Sequence, residues 1–135
     1  MGRRDNLFLK EDFEFTIPLD PVDATTTIAG VAKMRRACRI DSVELVSAAG
    51  FTGHASNHWT VALKCSTETI GSYTTDSDTA GQGTLAAGVP KTGALSATDS
   101  DAVRAAGDVL DVVLTKAASA TAFPSSKLIV KGRTV

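Results

Sequence analysis

Ala105–Thr115, reading AAGDVLDVVLT, decides the fold class of this chain. Gly107-Asp108 signals a turn, and the run after it alternates strictly. Leu110, Val112 and Leu114 share one face, while Val109, Asp111 and Val113 share the other. A period of two behind a turn predicts a strand with at least one buried face. The lone charge at Asp111 predicts an edge or surface-facing position for that strand.

Working outward, the same pattern recurs. Asn57–Ser66 (NHWTVALKCS) sets Trp59, Val61, Leu63 and Cys65 on one side, with His58, Thr60, Ala62 and Lys64 on the other. Glu68–Thr75 is a shorter strand, and Ser66-Thr67 between the two predicts a hairpin over 57–75. Arg39–Val46 (RIDSVELV) reads as a strand if a bulge near Ser42 shifts its phase. Thr25–Val31 is β-branched, with Gly30 as a bulge or turn. Lys127–Lys131 (KLIVK) closes the chain after an Ala/Ser loop and Pro124. Asp99–Ala106 predicts a helical turn capped by Asp99 or Ser100, with Val103 facing in. The pattern shows no βαβ alternation. The expected class is all-β, with the apolar faces buried in a two-sheet sandwich or jelly roll.

Composition bounds the rest. The chain has 135 residues, of which 43 % are hydrophobic, enough for the core of one domain. Only 5 % are aromatic, so that core rests on Val, Leu, Ile and Ala. A net charge of −1 argues against a general binder of nucleic acid or membrane surfaces. Charge is uneven: residues 66–101 are acidic on balance, and residues 102–135 are basic. Met1-Gly2-Arg3-Arg4 leads into mixed charge rather than the apolar run of a signal peptide. No apolar stretch approaches the roughly 20 residues of a membrane helix. Cys38 and Cys65 both lie in predicted strands, where buried thiols and a cross-strand bridge are both open readings.

Residues 1–24 are expected to form an N-terminal arm, with a single β-sandwich domain over 25–135. Phe8, Phe13 and Phe15 supply three of the five Phe residues, a concentration that asks for an explanation. An arm packing on another molecule and a strand docking on its own sheet explain it equally well. Asp76–Asp101 is the loosest stretch, with Leu85, Val89 and Leu95 as its large apolar anchors. A loop of that length in a small domain is usually functional.

Few residues suggest chemistry. His54 and His58 are four apart, but Gly53, Ser56 and Asn57 disfavour a helix and no Glu completes a zinc-protease motif. Asp76-Ser77-Asp78 and Asp99-Ser100-Asp101 lack the rest of a twelve-residue calcium loop. No Gly-x-Ser-x-Gly elbow is present, and Gly81-Gln82-Gly83 lacks the spacing of a nucleotide fingerprint. The residues lead to no enzyme, no metal and no cofactor.

The succession of segments resembles a known group. It runs from an apolar-charged arm to Cys38-Arg39-Ile40-Asp41-Ser42-Val43-Glu44-Leu45-Val46, then through a Gly-rich loop into Asn57-His58-Trp59-Thr60-Val61-Ala62-Leu63. A long Thr/Ala/Gly segment follows, then Ala106-Gly107-Asp108-Val109-Leu110-Asp111-Val112-Val113-Leu114 and a last strand preceded by Pro. Over residues 38–131 this order resembles the capsid decoration (cement) and head-fibre proteins of tailed bacteriophages. The resemblance implies a jelly-roll-like β-sandwich with an extended N-terminal arm, made in the host cytoplasm and carried on the exterior of the virion. It implies the major capsid protein and sister copies, as a homodimer or homotrimer, as partners, with no nucleic acid and no membrane. Phe8, Phe13 and Phe15 in the arm, with Leu85 and Val89 in the long loop, are the expected capsid or subunit contacts. A carbohydrate-binding β-sandwich of a phage tail or secreted protein is the alternative, and it requires exposed coplanar aromatic rings.

Overall fold

The computed structural model describes residues 11–135. Its strands are Asp12–Leu19 (β1), Thr26–Lys33 (β2), Cys38–Ser47 (β3), Trp59–Cys65 (β4) and Glu68–Thr74 (β5). After them come Lys91–Thr92 (β6), Ala94–Leu95 (β7), Val103–Arg104 (β8), Val109–Lys116 (β9) and Ser126–Thr134 (β10). One sheet runs β1-β10-β3-β6, with β8 also on β3, and the other runs β2-β9-β4-β5-β7. Every pairing is antiparallel. The chain changes sheet at each connection except the β4–β5 hairpin, which is the interleaving of a jelly roll. The expected all-β sandwich is therefore the observed one.

Alternation explains each buried face. Leu110, Val112 and Leu114 of β9 meet Trp59, Val61 and Leu63 of β4 in one fully buried layer. Ile40, Val43 and Leu45 of β3, with Leu128 and Val130 of β10, form the facing layer. The switch from even to odd positions in β3 comes from a bulge. Lys131 pairs with Ser42 while Gly132 pairs with Ile40, leaving Asp41 as the extra residue. Gly30 is a second bulge, at φ +67°. The ladder from β2 to β9 skips between Ile28 and Ala32 around it.

Three expectations are corrected and one is resolved. Asp111 takes the surface-facing of the two positions open to it, on β9, an interior strand between β2 and β4. Its carboxylate Oδ1 accepts a 2.8 Å hydrogen bond from the Gly30 N–H, so the charge supports the neighbouring bulge rather than an edge. The border expected at residue 24 does not separate an arm from a domain among the described residues. β1 pairs with β10 along its whole length, and Ile17 and Leu19 reach the core. The turn at Asp99–Ala102 is a short 3-10 turn that buries Ala102 and leaves Val103 exposed. Lastly, Asp76–Asp101 is pinned along its length. Leu85 bonds Phe51 in both directions at 2.8 Å, Gly88 N–H donates to Ser47, and Ser96 N–H donates to Ile70. The Tyr73 hydroxyl adds a 2.9 Å bond to the Gly83 carbonyl.

Gly93 closes one side of the sandwich. It links β6, on β3, to β7, on β5, and its N–H donates to the Val43 carbonyl at 2.8 Å. A Cβ there would overlap the Ser72 carbonyl and press on Val43 Cγ2 at 3.1 Å. Gly93→Ala is expected to cost about 1–3 kcal/mol by overpacking. That cost appears as a lower urea midpoint with an unchanged slope. Gly50→Ala, whose nearest atom is 3.6 Å away, serves as the near-neutral comparison.

A candidate docking groove at the open edge

With one side closed at Gly93, β1 and β2 end their sheets on the opposite side. Between them lies a groove of about 280 Å³, formed by Phe13 and Phe15 of β1, Lys33–Arg36, Cys38 and Thr134. Register places its aromatic wall. Phe13 faces Gly132 across the ladder, and a Cβ at Gly132 would lie 2.6 Å from Phe13 Cζ, so the ring covers the bare glycine. Phe13 and Phe15, two apart on one face, hold their rings 6.1 Å apart and within 12° of parallel. Both stay half-buried, whereas Ile17 and Leu19 further along the same face are enclosed.

The other wall is set by the turn before β9. Gly107 N–H donates to the Met34 carbonyl at 2.7 Å, and Met34 N–H donates to the Asp108 carbonyl at 2.8 Å. Gly107 sits at φ +95°, a conformation that favours glycine. These bonds bury the Met34 side chain and leave Lys33, Arg35 and Arg36 exposed at the rim. The Cys38 thiol, 3.5 Å from Met34 Sδ, completes an apolar floor. Burial, the largest influence, pushes that thiol above its ordinary range. Arg36 meets Glu11 at 3.7 Å. Lys33 and Arg35 have no carboxylate within ion-pair distance among the described residues, so the rim is positive on balance.

The two outer faces differ from this groove. On the first sheet, several charges are paired in place. Lys131 lies 2.9 Å from Glu44 and 3.9 Å from Glu14, Arg133 lies 3.8 Å from Asp41, and Arg39 is bidentate to Asp99. On the second sheet, Thr27, Val113, Ala62, Ser72 and Ala94 are in register across all five strands, a row of small uncharged side chains.

The expected contact residues do not form one site. Phe13 and Phe15 line the groove. Phe8 lies outside the described residues. Leu85 is 1 % exposed and belongs to the core, which leaves it unable to touch a partner. Val89 is exposed, but its neighbour Gly88 bonds Ser47 in a separate shallow depression lined by Pro18, Val46 and Lys127. Lys33, Met34, Arg35 and Arg36 were not singled out by sequence as one wall. Arg35 and Arg36 are adjacent cations in the sequence, but only the fold brings them beside β1.

Most of the candidate chemical groups serve local structure; the exception is His58, whose Nδ1 is buried with no hydrogen-bond partner among the described residues. His54 Nδ1 accepts hydrogen bonds from the Ser56 and Asn57 N–H groups at 3.0 and 2.9 Å. Asp76 Oδ1 accepts from the Asp78 N–H, Asp101 accepts from Ser96 Oγ, and Asp99 is taken by Arg39. Among the described residues, no three of His, Cys, Asp and Glu converge on a metal-sized position. Both cysteines are free thiols. No protein-family model matches the chain, and no curated protein matches it in sequence.

Two measurements check this geometry. In the native protein Cys38 is expected to resist a thiol reagent at pH 8 and to react only once urea unfolds the chain. Mass spectrometry of the labelled peptides reads this. The Arg39 guanidinium, chiefly by hydrogen bonding, holds the Asp99 carboxyl below its ordinary value of 3.8. The pair's contribution is therefore present above that value and is lost as pH falls through the lowered midpoint. Arg39→Ala is expected to move the Asp99 midpoint upward in an NMR titration.

Proposed function

We propose that this protein is a capsid decoration (cement) protein: a homo-oligomer that binds the outer surface of an assembled phage head and braces contacts between major-capsid-protein capsomers. The observation that carries this reading is the contrast in the surface. One sheet face pairs several of its own charges, His54 and Asp76 hold turns, and the groove beside β1 combines unfilled apolar area with surplus positive charge. Such a surface is suited to docking, and a jelly roll is a rigid base for it. The resemblance in strand order over residues 38–131 points to the shell as the surface that is docked.

The mechanism is mass action. A protein that binds only the expanded lattice stabilises that state in proportion to the logarithm of its occupancy term. Many copies act on one shell, so each contact is modest and the sum is large.

One observation favours the carbohydrate alternative: Phe13 and Phe15 present nearly parallel, half-exposed rings. Against it, the larger stacking surfaces are inside. Trp59 is fully enclosed, with its indole N–H bonded to the Thr121 carbonyl at 2.7 Å, and Tyr73 is equally buried.

Co-sedimentation separates the two readings. The protein is expected to pellet saturably with expanded empty heads, to ignore unexpanded ones, and to pass through a panel of insoluble polysaccharides. Retention on a glycan with no binding to expanded heads would overturn the decoration reading.

A further inference from the structure

We propose that the groove receives an extended acidic segment of a partner chain, which adds to the free edge of β1 as an extra strand and drops apolar side chains onto Phe13, Phe15 and Met34. The inference rests on the decoration reading only for the source of that segment, a neighbouring capsid chain.

The two open edges are not equivalent. β2 is broken by the Gly30 bulge, and Asp111 holds that bulge in place, so its edge offers no regular run of backbone groups. β1 pairs with β10 in unbroken register from Asp12 to Leu19 and is the last strand of its sheet among the described residues. Its outer edge up to Pro18 is a regular template for strand addition, where backbone bonds give affinity and alternate side chains give specificity. A strand laid there turns every second side chain toward the groove. The available volume, about 280 Å³, has room for apolar side chains delivered by such a strand.

Charge selects among occupants. The rim offers Lys33, Arg35 and Arg36 against Glu11, so carboxylates flanking the apolar positions are favoured. A second copy pairing β1 with β1 about Phe13 would set Asp12 opposite Glu14, which is unfavourable across strands, so self-pairing is confined to registers that offset these acids. Residues 1–10 of this chain carry Arg3, Arg4 and Lys10 against Asp5 and share the sign of the rim.

The test is fluorescence polarisation with a labelled peptide, Glu-Asp-Leu-Thr-Val-Thr-Leu-Asp-Glu, titrated with the full chain. Its counterpart with lysine at every acidic position is run in parallel. The acidic peptide is expected to bind at low salt and weaken as salt rises, and the lysine peptide is expected not to bind. Arg35→Glu/Arg36→Glu, at two exposed positions, is expected to weaken the acidic peptide at least tenfold with an unchanged thermal midpoint. Hydrogen exchange at residues 12–16 is expected to slow when the peptide is bound. Equal affinity for the two peptides, or no slowing in β1, would overturn the proposal. So would a dimer in native mass spectrometry that the double variant dissolves, since the occupant would then be a second copy. Binding of the peptide without pelleting on heads leaves the groove assignment standing and removes the decoration reading. Pelleting that the double variant leaves intact, with no peptide binding, does the reverse.

Discussion

The Arg104 guanidinium is the interaction on which one end of the sandwich depends. Its side chain is 7 % exposed, and a cation so enclosed is tolerated only with partners. Burial alone would lower its proton affinity, but contacts with Glu68 and Cys65 hold it above the ordinary arginine value. Glu68 Oε1 accepts from it at 3.0 Å at the start of β5, and Asp108 lies 3.8 Å away in the turn before β9. Arg104 itself pairs with Cys38 in the β3 ladder. One side chain therefore ties a strand of the first sheet to two elements of the second. Asp108, drawn in by that charge, also accepts from the Ala105 N–H at 2.9 Å and closes the turn whose backbone holds Met34. The groove's floor and rim follow from a buried charge on the far side of the same turn.

A second constraint works from the opposite side. At Gly93 the chain passes between sheets with no room for a side chain, and the two sheets cannot separate there. Closing one side of a jelly roll leaves the other to end in free strands. Here those strands are made different. Gly30 breaks the regularity of β2, while Gly132 lets Phe13 lie flat over β10 and extends β1 as an ordered strand. Both effects come from glycine, in one case through a positive φ and in the other through space that only a missing Cβ provides.

What the sequence revealed follows the range of the interactions concerned. β4, β5 and β9 were legible because alternation over seven or eight residues is a local signal, and Ser66-Thr67 marks its own turn. The bulge near Ser42 was legible for the same reason, since the apolar phase breaks within one strand. Asp111 left an edge and a surface-facing position both open, because its partner, the Gly30 N–H, lies 81 residues away in the chain. Leu85 misled because its surroundings are Gly, Thr and Ala, and its burial depends on a bridge to Phe51. The two-residue strands β6, β7 and β8 carry no period at all and exist only because β3 and β5 offer them edges. The groove was half legible. Phe13 and Phe15 were conspicuous, but nothing local joins them to Lys33–Arg36.

Phe13 and Phe15 also settle between the two explanations open for their concentration near the start of the chain. The strand docks on its own sheet, yet the docking is incomplete. Ile17 and Leu19 enter a core roofed by the second sheet, whereas Phe13 and Phe15 extend past that roof. Burying a phenylalanine fully is worth roughly 1.5–3 kcal/mol, and at half-burial part of that remains unrealised. Stacking the rings on each other and on Gly132 recovers some of it within the chain. Among the described residues the rest stays unrealised, as the apolar area that the groove leaves open beside Lys33, Arg35 and Arg36.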